Sequence, residues 1–244
     1  MNQLKKTLTA ATLGALALMG AASAMADTID FESQSPTVYG GTETFTEGGY
    51  SFLVIDSTAS ETGMGFAGAI GQGSNPYQCD IAACPTGNSS NYYIGTNDGS
   101  LQIARSDGKA FRLSSLDYAF LPPIDNLGSY SFGQLTITGN TVNGPVSASF
   151  DFPTLIGGQS PFLTASLQSQ FGNTLFSSVT IGSCVFTDAL SCVSPAGNQA
   201  QFAIDNLVLA AVPEPETYAM LGLGLAAIGL VARRRARAAN TNNV

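Results

Sequence analysis

Apolar and polar residues alternate along several short segments in the middle of this chain. In residues 145–152, valine, alanine and phenylalanine occupy every second position, and residues 51–54 and 134–138 show the same period. A period of two is typical of strands that bury one face. Clusters of glycine, asparagine and proline, such as residues 71–76, separate the segments and indicate turns. The pattern therefore predicts a domain made of strands.

Two of the predicted strands change phase part-way along. In residues 111–120 the apolar positions shift from odd to even numbers around Ser114 and Ser115. The last predicted strand shifts from even to odd numbers at Asp205 and Asn206. One extra residue reverses which positions face the core, so each shift predicts a β-bulge.

Many short strands with glycine-rich turns favour two packed sheets. We therefore predict an all-β domain at residues 27–211, an antiparallel two-sheet sandwich of the jelly-roll type. Its basic cluster, at residues 105–112, is expected to lie in a hairpin turn between strands at 101–104 and 111–120.

The N-terminal segment has the three parts of a secretory signal. Two lysines precede an apolar run at residues 8–22, and Ala24 and Ala26 then place small residues at the positions that a signal peptidase reads. We expect signal peptidase to cut between Ala26 and Asp27, which makes residues 1–26 a signal peptide. A retained N-terminal membrane helix is the alternative.

The C-terminal segment also has three parts in order: a proline- and glutamate-rich motif at 212–217, an apolar run at 218–232 and a basic cluster at 233–237. The 15 apolar residues would make a helix of roughly 22 Å, shorter than the hydrocarbon core of a bilayer at about 30 Å. We predict one short C-terminal transmembrane helix, a cytoplasmic basic stop and a polar tail at 239–244. The motif residues are Val212, Pro213, Glu214, Pro215 and Thr217, and the basic stop consists of Arg233, Arg234, Arg235 and Arg237.

This order of elements resembles the PEP-CTERM sorting tail of Gram-negative bacteria, which the membrane transpeptidase exosortase recognises. Residues 201–205 also match the Gln-Phe-x-x-Asp signature of one group of PEP-CTERM proteins. The resemblance implies that residues 212–238 are a sorting tail, anchored transiently in the inner membrane and processed by exosortase near residues 213–215. The exported protein would then reach the cell surface or extracellular matrix. A plain single-pass anchor that is never cut is the alternative.

Charge limits the partners of the exported part. The full chain has a formal net charge of −8, with 9 basic and 17 acidic residues. Only three basic residues (Arg105, Lys109 and Arg112) and fifteen acidic ones lie within residues 27–211, a net charge near −12. Phosphate binding needs clustered positive charge, so nucleic acid is not an expected partner. Cations and neutral or polar glycans are compatible with this charge.

All four cysteines lie in the exported part, where disulfides can form. Each close pair could close a short loop, so we expect Cys79–Cys84 and Cys184–Cys192, although four cysteines allow three connectivities. Zinc binding is the competing use, but the spacings are not of the short paired type and the chain has no histidine.

The absence of histidine also removes the commonest general base. Residues 71–75 begin like a nucleophile elbow but lack its closing glycine. A pair of carboxylates could still act as acid and base in glycoside cleavage. We expect a non-catalytic domain, with a carboxylate-based glycoside hydrolase as the less favoured alternative.

Residues 29–32, 48–52 and 203–209 resemble the first, an early and the last strand of galactose-binding-like jelly rolls, a fold that many carbohydrate-binding modules share. In such modules an acid from the first strand and one from the last meet at a structural calcium. The resemblance implies that Glu32 and Asp205 hold calcium here, with backbone carbonyls completing the shell. The alternative is that Asp205 bonds to neighbouring backbone and Glu32 faces solvent.

Three tyrosines are candidates for glycan binding. Tyr77, Tyr92 and Tyr93 lie in or beside a polar loop region and could present flat rings to a sugar. The alternative is that Tyr92 and Tyr93 begin a strand, with one ring in the core and one outside. The chain has no tryptophan, which disfavours a strong glycan site.

Together these features predict an exported, exosortase-processed protein. Its non-catalytic β-sandwich is expected to be structural or glycan-associated in an exopolysaccharide or biofilm matrix, with a carbohydrate-binding module as the main alternative.

Overall fold

The computed structural model describes residues 26–57, 65–73, 82–123, 131–187, 191–195, 197, 199–212 and 215–241. Within these residues the chain forms fourteen strands and one long helix. The strands belong to one compact unit, Ala26–Ala211. The elements are β1 (Ala26–Ile29), β2 (Thr37–Tyr39), β3 (Thr44–Glu47), β4 (Tyr50–Ile55), β5 (Gly68–Gln72), β6 (Asn91–Gly95), β7 (Ser100–Arg105), β8 (Phe111–Phe120), β9 (Ser131–Thr141), β10 (Gly144–Asp151), β11 (Leu163–Ser166), β12 (Ser178–Phe186), β13 (Cys192–Val193), β14 (Phe202–Ala211) and α1 (Pro215–Thr241).

The described strands form two antiparallel sheets of seven strands each. Sheet A has the order β11-β8-β14-β6-β5-β2, and β1 pairs with the second half of β14. Sheet B has the order β10-β9-β12-β7-β4-β3, and β13 pairs with β12. The predicted antiparallel two-sheet sandwich is therefore confirmed. The last strand, β14, lies in the middle of sheet A.

The main core lies between the sheets because alternating residues of both sheets point inward. Phe52 and Val54 of β4 are completely buried, as are Leu135 and Ile137 of β9, in agreement with the period of two. Each such side chain contributes roughly 1.5–3 kcal/mol by leaving water. Phe45 stacks on Phe52 with ring centroids 4.8 Å apart, which joins β3 to β4 on the core side.

Both predicted bulges are present, and they lie opposite one another. Three successive pairs define them: Asp205–Asp117, Val208–Ser115 and Leu209–Leu113. Between the first two pairs β14 has one extra residue, and between the second and third β8 has one extra residue. The two bulges cancel, so the original register returns and both apolar phases of each strand face the core.

A second apolar cluster lies on the outer face of sheet A. It is formed by side chains of β6, β8 and β14 that alternate with those of the main core, by Leu121 directly after β8, and by Ala82, the first of residues 82–90, which we call the cover segment. The members are Ala82, Tyr92, Ile94, Ala119, Leu121 and Ala203, with Ala69 and Phe162 packed against them. Backbone hydrogen bonds from Ala83 N to Pro122 O (3.0 Å) and from Thr86 N to Ser160 O (2.8 Å) hold the cover segment in place.

The basic cluster at residues 105–112 does not form the predicted hairpin turn. β7, which precedes it, belongs to sheet B, and β8, which follows it, belongs to sheet A. The two strands bury their apolar faces in the same core from opposite sides, so the connection crosses between the sheets. Arg105 forms an ion pair with Asp107 in this connection, with Nη2 and Oδ2 at 2.6 Å.

Helix α1 begins at Pro215, a residue that fits the first turn of a helix because its missing N–H would have no partner there. It includes the whole predicted apolar run at 218–232 and the basic stop at 233–237. The predicted transmembrane span is not borne out, since no helix in the described part of the chain is long and apolar enough to cross a membrane. The arginines end the apolar run after 15 residues.

Candidate functional site

Asp205 lies on the outer face of sheet A, between the cover segment and the bulge of β14, and it is completely buried. Its Oδ2 accepts hydrogen bonds from Asn88 Nδ2 at 2.6 Å and from Ser90 Oγ at 3.2 Å, both in the cover segment. The backbone N–H of Asn206 donates to its Oδ1 at 2.7 Å. Burial raises the pKa of Asp205 to about 6, even though these hydrogen bonds act in the opposite direction.

A second carboxylate, Asp117 of β8, pairs with Asp205 across the two strands. The Asn206 Nδ2 group donates to Asp117 Oδ2 at 2.9 Å and also contacts Asp205 Oδ2 at 3.4 Å. The hydroxyl of Thr164 donates to Asp117 Oδ1 at 2.5 Å. After burial, the negative charge of Asp117 is a further cause of the raised pKa of Asp205. The neutral side-chain amide of Asn206 thus contacts both carboxylates.

Glu32 binds the backbone of Asn91, the residue that directly follows the cover segment. Its Oε1 accepts a hydrogen bond from the backbone N–H of Asn91 at 2.6 Å. The Asn91 side chain donates in turn to the carbonyl oxygens of Phe31 at 3.3 Å and Gln34 at 3.0 Å. Glu32 and Asp205 therefore both bind residues 88–91, but through separate groups.

The groups that face these two carboxylates decide whether the predicted calcium fits. Calcium takes six to eight oxygen ligands. Asp205 instead faces amide, hydroxyl and backbone N–H donors, and Glu32 faces a backbone N–H donor. Among the described residues, no three acidic, cysteine or histidine side chains are grouped so that they could hold a metal ion. These side chains, as arranged, do not fit a calcium ion shared by Glu32 and Asp205.

Tyr92 and Tyr93 do not form the predicted sugar platform. As neighbours on β6 they point to opposite faces of sheet A: Tyr93 enters the main core, and Tyr92 packs against Phe162 in the second cluster with ring centroids 5.6 Å apart. Both are completely buried, Tyr93 between the sheets and Tyr92 within the second cluster. Burial raises the pKa of both hydroxyls, that of Tyr92 to about 12. Tyr77 lies outside the described residues.

Of the predicted disulfides, Cys184–Cys192 is present and joins β12 to β13, with the Cα atoms 5.3 Å apart. Cys84 also takes part in a disulfide. Cys79, its predicted partner, lies outside the described residues.

The sequence alone did not point to Asp117, Asn88 or Ser90 as partners of Asp205. Asp117 follows the phase shift of β8 and occupies an outward position on that strand. The signal that could have identified it is this outward acidic residue, which pairs with Asp205 at the predicted bulge of β14. Asn88 and Ser90 gave no local signal, since only the path of the cover segment brings them to Asp205.

The predicted signal-cleavage residues lie at the start of β1. Ala26 pairs with Ala210 and Asp27 pairs with Leu209, so both residues that flank the predicted cut lie in β1. Ala24 lies outside the described residues.

The sorting-tail residues follow directly after β14. Val212 comes one residue after the end of that strand, and Pro213 and Glu214 lie outside the described residues. Residues 211–235 match the model of the PEP-CTERM protein-sorting motif. The chain carries a PEP-CTERM sorting signal. This signal implies an exported protein, and the match runs from the last residue of β14 into the basic stop.

No curated protein matches the chain. Among solved structures, a DUF4465 family protein from Bacteroides ovatus is 9% identical with a TM-score of 0.43, covering 78% of this chain and 100% of that chain. TmCBM61, solved in complex with β-1,4-galactotriose, is 8% identical with a TM-score of 0.31, covering 74% of this chain and 92% of that chain. CtCBM11 is 14% identical with a TM-score of 0.29, covering 80% of this chain and 99% of that chain.

Proposed function

We propose that this protein is an exosortase substrate that is cut near residues 213–215 and released to the cell surface or extracellular matrix. The observation that carries the proposal is the position of the sorting motif, which starts where β14 ends. β14 lies in the middle of sheet A, so a cut before its end would remove a central strand. A cut in the motif leaves every described strand in place.

Before processing, α1 serves as a transient anchor in the inner membrane. Large apolar side chains cover this helix, and Leu223 and Leu230 are 65% and 62% exposed. Exposed apolar surface of this extent is unfavourable in water, which favours contact with lipid. The apolar run is short for a bilayer, so it would hold the protein only weakly, which suits an anchor that is later removed.

The β-sandwich is a non-catalytic domain that is structural or glycan-associated in an exopolysaccharide matrix. Asp205, half of the carboxylate pair with Asp117, is completely buried and cannot reach a polymeric substrate. The strongly acidic surface does not suit nucleic acid but is compatible with neutral or cation-bridged polysaccharides. A carbohydrate-binding module is the second candidate, and a glycoside hydrolase would require carboxylates other than this pair.

The sorting proposal is tested by intact-mass analysis of the protein from its native host. We expect wild-type molecules to lack every residue after the motif, and Pro215→Ala combined with Glu214→Ala to remain full length in the membrane fraction. Asn240→Ala, beyond the basic stop, is the matched control and should be processed normally. Mature wild-type molecules that still end in Asn-Asn-Val would contradict the proposal.

The glycan proposal is tested separately with residues 26–211 and the exopolysaccharide of the host. We expect the domain to sediment with the polysaccharide without releasing reducing ends. Release of reducing ends that stops when a single carboxylate is replaced would establish a hydrolase instead.

A further inference from the structure

Strand β10 is an edge of sheet B, and it is longer than the other strands that end a described sheet. It has eight residues, whereas β2, β3 and β11 have three, four and four. Proteins commonly protect an edge strand by keeping it short or by placing charged side chains on it. Residues 144–150 carry no charge, and Asp151 ends the strand. The edge at β10 is therefore suited to pairing with another strand.

The odd-numbered residues of β10 turn their backbone groups away from β9. In an antiparallel pair, opposite residues exchange both hydrogen bonds or none, in alternation. The N–H of Phe152 donates to Gly133 O at 3.0 Å, and the register of β10 with β9 is regular, so the even-numbered residues bond to β9. The outward row consists of Pro145, Ser147, Ser149 and Asp151.

The two ends of this outward row each lack one group for pairing. Pro145 has no N–H. The carbonyl oxygen of Asp151 already accepts a hydrogen bond from the Tyr118 hydroxyl at 2.9 Å. Between them, the backbone N–H and C=O groups of Ser147 and Ser149 have no partner among the described residues.

We propose that two copies of this protein pair through β10, antiparallel and centred on Ala148. In this register Ser147 lies opposite Ser149 of the second copy, and the two residues exchange both N–H···O hydrogen bonds. Pro145 lies opposite Asp151 of the second copy, whose N–H donates to the Pro145 oxygen. The Pro145 nitrogen, which has no hydrogen, then faces a carbonyl oxygen that is already bound. All backbone groups of the outward row are thus satisfied.

The two neighbouring registers leave backbone groups unpaired. Centring the pair on Ser147 places Pro145 opposite Ser149, whose carbonyl oxygen then has no donor. Centring it on Ser149 places Ser147 opposite Asp151, whose occupied carbonyl oxygen leaves the Ser147 N–H without an acceptor. Unpaired backbone groups at a strand interface are unfavourable. Of these three registers, only the one centred on Ala148 is fully self-complementary, as a two-fold symmetric interface requires.

The side chains of β10 agree with the same register. Val146 is 37% exposed, and on the core side it would lie opposite the half-buried Phe150 of the second copy. This contact removes apolar surface from water. The serine side chains meet on the outer face, so polar residues stay beside solvent.

The charge of the domain favours this edge as the place of contact. Residues 27–211 have a net charge near −12, which opposes the approach of two copies over most of the surface. In the proposed pair the two Asp151 carboxylates lie roughly 20 Å apart, at about 3.4 Å per residue. That distance exceeds the Debye length of about 8 Å at physiological salt. The remaining repulsion is long-range, so salt should strengthen the pairing.

Sedimentation equilibrium of residues 26–211 tests the proposal. These residues form one compact unit and lack α1, whose apolar surface would itself bring copies together. A single strand pair is a small interface, so we expect a reversible dimer with a dissociation constant of roughly 10–500 µM. Raising NaCl from about 50 to about 300 mM should lower this constant by at least about threefold. A domain that stays monomeric at roughly 1 mM would overturn the proposal.

Cysteine variants test the register. Ala148→Cys places two thiols directly opposite each other in a non-hydrogen-bonded pair, with Cα atoms about 4.5 Å apart, a distance that a disulfide can span. We expect this variant to form a covalent dimer on oxidation, since the described native cysteines are already disulfide-bonded. Val146→Cys should not, because its two copies would lie roughly 14 Å apart. Ala165→Cys, a buried alanine in the edge strand β11 of sheet A, is the matched control. A covalent dimer of either control without one of Ala148→Cys would contradict the proposal.

Ser149→Pro tests the hydrogen bonds of the edge. The Ser149 N–H faces away from β9, and Pro145 already occupies the same row, so the urea midpoint should stay near that of wild type. Dimerisation should weaken by at least about tenfold, because the N–H of each pair is lost. Ser149→Ala keeps the N–H and should dimerise like wild type. Equal dimerisation of Ser149→Pro and wild type would mean that copies meet elsewhere.

The inference does not depend on the proposed function. A monomeric domain that is still processed by exosortase and still sediments with polysaccharide would overturn the pairing through β10 and leave the proposed function intact.

Discussion

At the scale of single residues, Asp205 links the last strand to the cover segment. It is a completely buried carboxylate that accepts hydrogen bonds from neutral groups of Asn88, Ser90 and Asn206, and Asp117 lies directly across the strand pair. Burial removes the water that would stabilise the ionised form of such a group, and its hydrogen bonds offset only part of that loss. We infer that its role is structural and that its cost appears as a dependence of stability on pH.

That dependence has a definite sign. The pKa of Asp205 is about 6 in the folded protein, and an unfolded aspartate titrates near 3.9. Between these values the folded state holds a proton that the unfolded state has lost, so the free energy of unfolding falls as pH rises from about 4 to about 6. The contribution of this residue amounts to roughly 3 kcal/mol at most.

Urea unfolding of residues 26–211 between pH 4 and pH 7 checks this prediction. The Asp205→Asn side chain cannot ionise, but it keeps a carbonyl oxygen that can accept a hydrogen bond. The free energy of unfolding of this variant should therefore not show the fall between pH 4 and pH 6. Wild-type and variant curves that run parallel over the whole range would show that Asp205 does not titrate in this window.

At the scale of elements, close packing between strands and rings limits which residues can change. Gly139 of β9 lies against the ring of Phe176, and a Cβ atom added there would overlap that ring. Gly182 of β12, in the same sheet, has more room: its Cβ atom would lie 3.4 Å from Ser100 Cβ and 3.7 Å from Thr136 Oγ1. The glycine of β9 is therefore required by the core, and that of β12 much less so.

Gly139→Ala should accordingly destabilise the domain by about 1–3 kcal/mol, because the completely buried Phe176 ring must shift. Gly182→Ala is the matched control and should change stability by less than about 1 kcal/mol. Urea denaturation of the two variants measures the difference, and equal losses would mean that the Phe176 ring can move freely.

At the scale of the whole molecule, the last strand completes the sandwich. β14 pairs with β8 along its length, with β6 at its start and with β1 at its end. Sheet A therefore cannot close until the residues immediately before the sorting tail are in place. The fold ends at Ala211 and the sorting motif starts there, so folding and processing use adjoining parts of the chain.

Removal of the tail should therefore leave the stability of the sandwich unchanged. We expect residues 26–211 and the chain that retains α1 to unfold with free energies within about 0.5 kcal/mol of each other, measured with urea in the same mild detergent. A larger loss on removal would mean that the tail contributes to the fold.

The local features of this protein could be predicted from its sequence because each depends on neighbouring residues. The strands of β4, β9 and β10 follow from a period of two, and the two bulges follow from changes of phase. The Cys184–Cys192 disulfide closes a loop of only a few residues, and the sorting signal is a short linear pattern. None of these requires knowledge of a distant contact.

The tertiary structure decided everything that depends on which distant segments meet. It placed β7 and β8 in different sheets, and it packed Phe162 and Ala82 against the outer face of sheet A, where Tyr92 is buried. It also brought Asn88 to Asp205 and the Asp98 carboxylate to Ala200 N–H, contacts that span more than a hundred residues. A residue's periodicity shows which face of a strand it occupies. Whether that face meets water or another segment depends on long-range packing.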